Sequence, residues 1–265
     1  MILPYMIFFF CLGVIIGSFL NVVIYRINTK KSLGGRSACM TCQNKLSWYE
    51  LIPVFSFFAL MGRCKICKTK ISIQYPLVEL TSGLIFVSLF IKFQDILFID
   101  VFNFIFVFTY YAFMFSILLV ISTYDIKHKI IPDQLSLMLA AFAFIGMFFF
   151  NAHGYFVFHI PTLFDFMAGV AVSLPFALLW LVSRGTWMGL GDAKLAVGLG
   201  WLLGFSRILS ATAIAFWSGA IIGIVLVIIS KRYKMRSEIP FAPYLVFGSF
   251  LVFILDLYIF SFFQI

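Results

Sequence analysis

The chain has 265 residues, 63% of them hydrophobic and only 11% charged, with a mean hydropathy of +1.11. Soluble domains carry about a quarter charged residues, so composition excludes a soluble globular fold and predicts an all-α polytopic membrane protein. The net charge of +9 does not require a nucleic-acid partner, because basic residues of membrane proteins collect in cytoplasmic loops; the lipid bilayer is the expected partner, and no nucleic acid is expected.

In chain order, apolar runs of spanning length fall at 4–25, 76–93, 101–124, 131–150, 162–183, 190–206, 208–230 and 241–262, which predicts about eight transmembrane helices. The first run carries no basic residue before Arg26 and no clear small-residue cleavage site, so it is read as a retained helix and not a cleavable signal. The sixth is short and holds Gly198, Gly200 and Gly204, which suggests a tilted or partly re-entrant helix.

Between the first two runs lies a polar segment with two dyads, Cys39-x-x-Cys42 and Cys64-x-x-Cys67. Four thiolates at such spacing can close a tetrahedral zinc site. The competing reading is a pair of disulfides, which the predicted cytosolic location of the segment disfavours. Lys30, Lys31, Arg36, Lys45, Arg63, Lys65, Lys68 and Lys70 make this knuckle basic. The fifth cysteine, Cys11, sits in the first apolar run and reads as a packing residue.

Orientation follows from Lys and Arg. With the N-terminus outside, Arg26, the knuckle cations, Lys127, Lys129, Arg184, Lys194, Lys231, Arg232, Lys234 and Arg236 face the cytoplasm, which is 17 of the 19 basic residues. Lys92 and Arg207 stay outside, with His153, His159 and Asp165. The knuckle, Asp125, Asp133, Asp192 and Glu238 then lie on the cytoplasmic side.

Two acids stand at helix ends on that side. Asp125 closes the third run in Tyr124-Asp125-Ile126-Lys127, and Asp192 opens the sixth in Gly189-Leu190-Gly191-Asp192-Ala193-Lys194. An acid at membrane depth is costly and tends to be functional. Two carboxylates that share a proton can activate water and polarise a carbonyl, which is peptide hydrolysis without a metal. The plain alternatives are an N-cap role for Asp192 and ion pairing of Asp125 with Lys127 or Lys129. Asp133 is the rival acid, read here as the N-cap of the fourth helix. His128 reads as a solvated interfacial residue. A transporter would also use intramembrane acids, but the acids cluster at one face and no inverted repeat is visible. A scaffold with a zinc knuckle would leave the Gly189-Leu190-Gly191-Asp192 segment without a task. No internal repeat of any kind stands out.

Taken together the motifs resemble the type IV prepilin peptidase family, the bifunctional leader peptidases and N-methyltransferases of pilus and type II secretion systems. The resemblance runs through Gly17-Ser18-Phe19-Leu20-Asn21, the cysteine segment with Trp48-Tyr49-Glu50-Leu51-Ile52-Pro53, Tyr75-Pro76-Leu77-Val78-Glu79, Asp125 with Ile131-Pro132-Asp133, Gly189-x-Gly191-Asp192-x-Lys194, and Ile239-Pro240-Phe241-Ala242-Pro243-Tyr244. It implies an aspartic endopeptidase that cuts the basic leader of prepilins or pseudopilins after glycine at the cytoplasmic face of the bacterial inner membrane. It also implies N-methylation of the new N-terminal residue, usually Phe, with S-adenosylmethionine. Asp125 and Asp192 match the family's catalytic pair; Cys39, Cys42, Cys64 and Cys67 match its metal ligands, read as holding a structural zinc. The implied organisation is a first transmembrane helix at 1–27, a cytoplasmic zinc-binding domain linked to methyl transfer at 28–75, and a transmembrane peptidase domain at 76–265. The methyl-donor site carries no glycine-rich nucleotide fingerprint. Glu79 is the candidate residue there, against the alternative of a structural acid paired with a knuckle lysine. Glu79, Asp133 and Glu238 are expected to meet the basic leader. Two positions depart from the family pattern: Met40 replaces a frequent Pro, and Ala242 replaces a usual Gly, which matters if that position needs a positive φ.

Overall fold

The computed structural model describes residues 2–29, 32, 34–150, 155–229 and 239–260. Nine α-helices occur among them: α1 Ile2–Arg26, α2 Phe55–Ala59, α3 Gln74–Ile99, α4 Val101–His128, α5 Asp133–Phe149, α6 Leu163–Ser183, α7 Leu190–Leu203, α8 Phe205–Ile229 and α9 Ala242–Leu255. All except the short α2 fall on the eight apolar runs. Five of them, α1, α3, α4, α6 and α8, are long and apolar enough to cross a membrane. The protein is therefore a multi-pass membrane protein. His153, Glu238, Lys30, Lys31, Lys231, Arg232, Lys234 and Arg236 lie outside the described residues.

The chain divides into two compact units, Met1–Gln94 and Asp95–Ile265. In the first, α1 and α3 run antiparallel along a seam of small residues. A Cβ on Gly13 would stand 2.7 Å from the Ser82 carbonyl oxygen, and one on Gly17 would stand 2.8 Å from the Glu79 Cα. Gly13 and Gly17 are four residues apart on one helix face, the small-xxx-small spacing that lets backbones approach where lipid offers no hydrophobic driving force. The Ser82 hydroxyl donates to the Gly13 carbonyl at 2.7 Å and so ties the seam. Two turns along, Tyr25 stacks on Tyr75 with centroids 5.1 Å apart.

The knuckle between these helices repeats one small design twice. Cys39 N–H donates to the Asn44 carbonyl, Gln43 N–H returns to the Cys39 carbonyl, and Ala38 bridges to Lys45. Cys64, Thr69, Lys68, Arg63 and Lys70 make the same three links. Gln43 and Lys68 both take positive φ, 55° and 57°. The sequence carries this repeat as Cys-x-x-Cys-x-x-Lys, a signal that the expectation of no internal repeat overlooked.

In the second unit the caps are local and polar. The Asp100 carboxylate accepts from Phe102 N–H and Asn103 N–H at the start of α4. Thr162 and Asp165 form a capping box on α6. The short helix α7 packs against α5 and α6, α8 against α9, and α4 against α9. With 14 residues, α7 is about 21 Å long at 1.5 Å per residue, short of the ~30 Å hydrocarbon core. Its glycines are used for packing. A Cβ on Gly200 would stand 2.6 Å from Gly169 Cα, and Gly204, at φ 78°, ends the helix and turns the chain into α8.

Candidate functional site

Asp125 lies in the last turn of α4 and Asp192 in the first turn of α7. Both are buried, 5% and 8% exposed, and are the buried acids of this unit among the described residues, where the other buried polar side chains are serines. Their carboxylates are near enough for their charges to interact. Each also receives a backbone donor. Asp125 Oδ2 accepts from Ala242 N–H at 3.3 Å, and Asp192 accepts from Gly189 N–H. The N-cap of α7 is Gly189, at φ −76°, so Asp192 is the third residue inside the helix and not its cap. Gly191 has a different function: a Cβ there would stand 3.0 Å from Ile131 Cβ. Its bare backbone lets the first turn of α7 approach the chain just before α5.

Ala242 is the first residue of α9, fully buried and helical, and it is absent from the positive-φ residues. The position therefore makes no demand that only glycine meets. Alanine keeps the N–H that Asp125 uses, a donor that reading side chains alone could not reveal.

The other acids separate from this pair. Asp133 is the first residue of α5, with Pro132 as N-cap, which corrects the capping role expected for it. Its carboxylate is 73% exposed and accepts from Lys194 Nζ at 2.7 Å. His128 is exposed and packs its ring against Tyr124 at a tilt of 31°, centroids 4.4 Å apart.

A second cluster lies in the first unit. The Sγ atoms of Cys39, Cys42, Cys64 and Cys67 all fall within 4.8 Å of one another, with Cys39 and Cys67 at 3.7 Å. Tetrahedral zinc with bonds of ~2.3 Å separates its sulfurs by about 3.8 Å, so the four thiols fit one such ion. Their proton affinities are already split. The Thr69 hydroxyl, 3.2 Å from Cys67, leads in pulling that thiol down to about 6. A backbone hydrogen bond from Asn44 favours the Cys42 thiolate, but desolvation and the neighbouring sulfurs outweigh it and raise that thiol to about 11. Four anionic sulfurs at this spacing need a cation among them.

Glu79 is 6% exposed on α3. Its Oε2 accepts from Val54 N–H at 2.6 Å. Val54 holds φ 60°, a rare conformation for a β-branched residue, so the carboxylate receives a strained backbone donor from the knuckle. The acid is held by this main-chain donor and by the Ser18 hydroxyl, and among the described residues no lysine pairs with it. It lines a cavity of about 560 Å3 within this unit, shared with Asn21, Tyr25, Arg26, Glu50 and Tyr75.

A buried carboxylate pair in one helical unit, and in the other a four-cysteine cluster able to hold a metal ion, fit a membrane enzyme of the aspartic peptidase class. Residues 11–93 match the model of the bacterial peptidase A24 N-terminal domain, and residues 112–224 match that of the type IV leader peptidase family. A protein of Myxococcus xanthus is 33% identical over 88% of this chain and 66% of its own length. One of Xanthomonas campestris pv. campestris is 32% identical over 91% of this chain and 88% of its own. One of Bacillus subtilis is 29% identical over 96% of both. Each is named prepilin leader peptidase/N-methyltransferase. No solved structure matches the chain. The chain belongs to the type IV leader peptidase family.

Proposed function

We propose that this enzyme cleaves the basic leader of type IV prepilins or pseudopilins after glycine and then N-methylates the exposed residue, usually Phe. The observation that carries the first activity is the Asp125 and Asp192 pair, buried together and each held by a backbone N–H. One carboxylate, ionised, takes a proton from water as the water attacks the scissile carbonyl. The other, protonated, donates to the carbonyl oxygen; as the tetrahedral intermediate collapses, the first carboxylate passes the proton it took from water to the leaving amine and the second recovers its own from the hydroxyl. The Ala242 and Gly189 N–H groups orient the two side chains so that no lysine is needed beside them. The distribution of Lys and Arg supports a cytoplasmic active site in the bacterial inner membrane, with eight crossings.

The cysteine cluster would hold one zinc with all four positions filled by thiolate, a structural ion that leaves no open position for water. In the proposed division of the chain, 1–27 forms the first transmembrane helix, 28–75 the zinc domain linked to methylation, and 76–265 the peptidase. The cavity beside Glu79 falls within the 300–1,000 Å3 range of small-molecule sites and fits a methyl donor such as S-adenosylmethionine, which supplies an electrophilic methyl group. Glu79 is the residue proposed to serve this half of the reaction.

The test is to incubate the purified protein with a peptide carrying a basic leader, Gly and then an apolar segment starting with Phe. Mass spectrometry should find the segment released at Gly–Phe, and heavier by one methyl group when S-adenosylmethionine is added. An intact peptide would reject the reading.

A further inference from the structure

Asn21 is 1% exposed on α1. Its Nδ2 donates to the Tyr75 carbonyl at 3.1 Å, which fixes the rotamer and turns Oδ1 away from that bond. Oδ1 is buried and has no hydrogen-bond partner among the described residues. A buried acceptor left in this state is costly and calls for a partner, and a bound ligand with an N–H or O–H donor supplies one. Asn21 lines the cavity of about 560 Å3 that Glu79 also lines. The two side chains lie one helical turn apart on one seam, because Gly17, four residues before Asn21, packs on Glu79, and Tyr75, four residues before Glu79, meets Asn21.

The lining thus offers two acceptors side by side, a neutral amide oxygen and a carboxylate, and their complement is a group with two N–H donors. We propose that Asn21 Oδ1 and Glu79 together bind the N-terminal amine of the cleaved substrate. A neutral primary amine has two N–H bonds and one lone pair. Two acceptors that take the N–H bonds leave the lone pair free and fix its direction in the cavity. An amide in place of a second carboxylate serves this purpose, because a second buried anion would hold the amine as a fully protonated ammonium with no lone pair to offer. Asn21 is a positioning residue in this scheme, and the scheme rests on the methyl transfer proposed above.

The experiment uses the full-length protein in detergent, S-adenosylmethionine, and a pre-cleaved peptide with a free N-terminal Phe. Asn21→Leu keeps the shape and removes both polar atoms. Asn21→Asp keeps an acceptor and removes the donor to Tyr75. Asn21→Leu should raise the KM for the peptide amine about tenfold, equivalent to ~1.4 kcal/mol, with little change in KM for S-adenosylmethionine and with leader cleavage retained. Asn21→Asp should keep the peptide KM within about threefold of wild type, roughly 0.6 kcal/mol. An unchanged peptide KM in Asn21→Leu would overturn the proposal. So would equal losses in the two variants, which would mark the Tyr75 bond as the whole role of Asn21, or loss of cleavage in Asn21→Leu, which would make Asn21 a folding residue. A wild-type protein that methylates no peptide would instead overturn the methyl-transfer reading itself.

Discussion

Lys194 Nζ and Asp133 Oδ1 meet at 2.7 Å, joining the first turn of α7 to the first residue of α5. The pair separates the acids of this unit by environment. Asp133 is exposed and already balanced by a cation, whereas Asp192, two residues before Lys194, is buried, with no lysine at its carboxylate among the described residues. The Gly-x-Gly-Asp-x-Lys segment thus sends its acid inward and its base outward to a neighbouring helix.

Asp133→Asn should therefore be mild. Exposed ion pairs contribute about 0.2–1 kcal/mol, so cleavage should stay within about fivefold of wild type and thermal stability should change little. A steady-state cleavage assay with a thermal melt checks both, and loss of cleavage would return Asp133 to the reacting pair.

Ala242→Gly restores the residue usual in the resembling family. The N–H that Asp125 accepts is retained, and the helical backbone suits either residue. Cleavage should change less than about threefold, while stability should fall by roughly 0.5–1 kcal/mol from the added freedom of glycine. Kinetics and denaturant titration of the one variant test the two halves separately.

Cys64→Ser removes the most buried of the four thiols. Elemental analysis of the wild type should find about one zinc per chain, the stoichiometry of a four-thiolate site, and the variant should retain much less. The proposed catalytic carboxylates remain in place, so KM for prepilin should suffer more than kcat. Two disulfides and no metal in wild type purified under reducing conditions would contradict the zinc assignment.

Glu79→Ala should separate the two activities. Removing a buried carboxylate that is hydrogen-bonded to a ligand costs about 1.5–3 kcal/mol, so methylation should fall at least tenfold while cleavage stays within about threefold. Both products can be quantified from one substrate by mass spectrometry. Loss of cleavage, or full methylation, would contradict the assignment of Glu79 to methyl transfer.

The long helices were legible because apolar runs of this length have little alternative structure, and every helix except the short α2 falls where those runs predict. The cysteine cluster was equally legible, since paired Cys-x-x-Cys spacings admit few geometries. Asp133 was misread because helix propensity cannot foresee a lysine arriving from position 194. The main-chain partners of Glu79 and Asp125, the N–H groups of Val54 and Ala242, were out of reach for a different reason: a backbone donor has no letter in the sequence. Gly191 makes room for Ile131, a contact that the glycine alone does not announce. The repeated Cys-x-x-Cys-x-x-Lys was present in the letters, but seven residues are too short a unit to stand out in a search for repeats.

The central claim is that Asp125 and Asp192 are the hydrolytic pair, and single Asn variants test it most directly. Asparagine preserves shape and the backbone hydrogen bonds but cannot ionise. Removing a general acid or base costs about 10²–10⁴ in rate, so Asp125→Asn and Asp192→Asn should each abolish measurable release of the leader, while the four-cysteine unit still binds its metal. Cleavage by either variant at near wild-type rate would contradict the account.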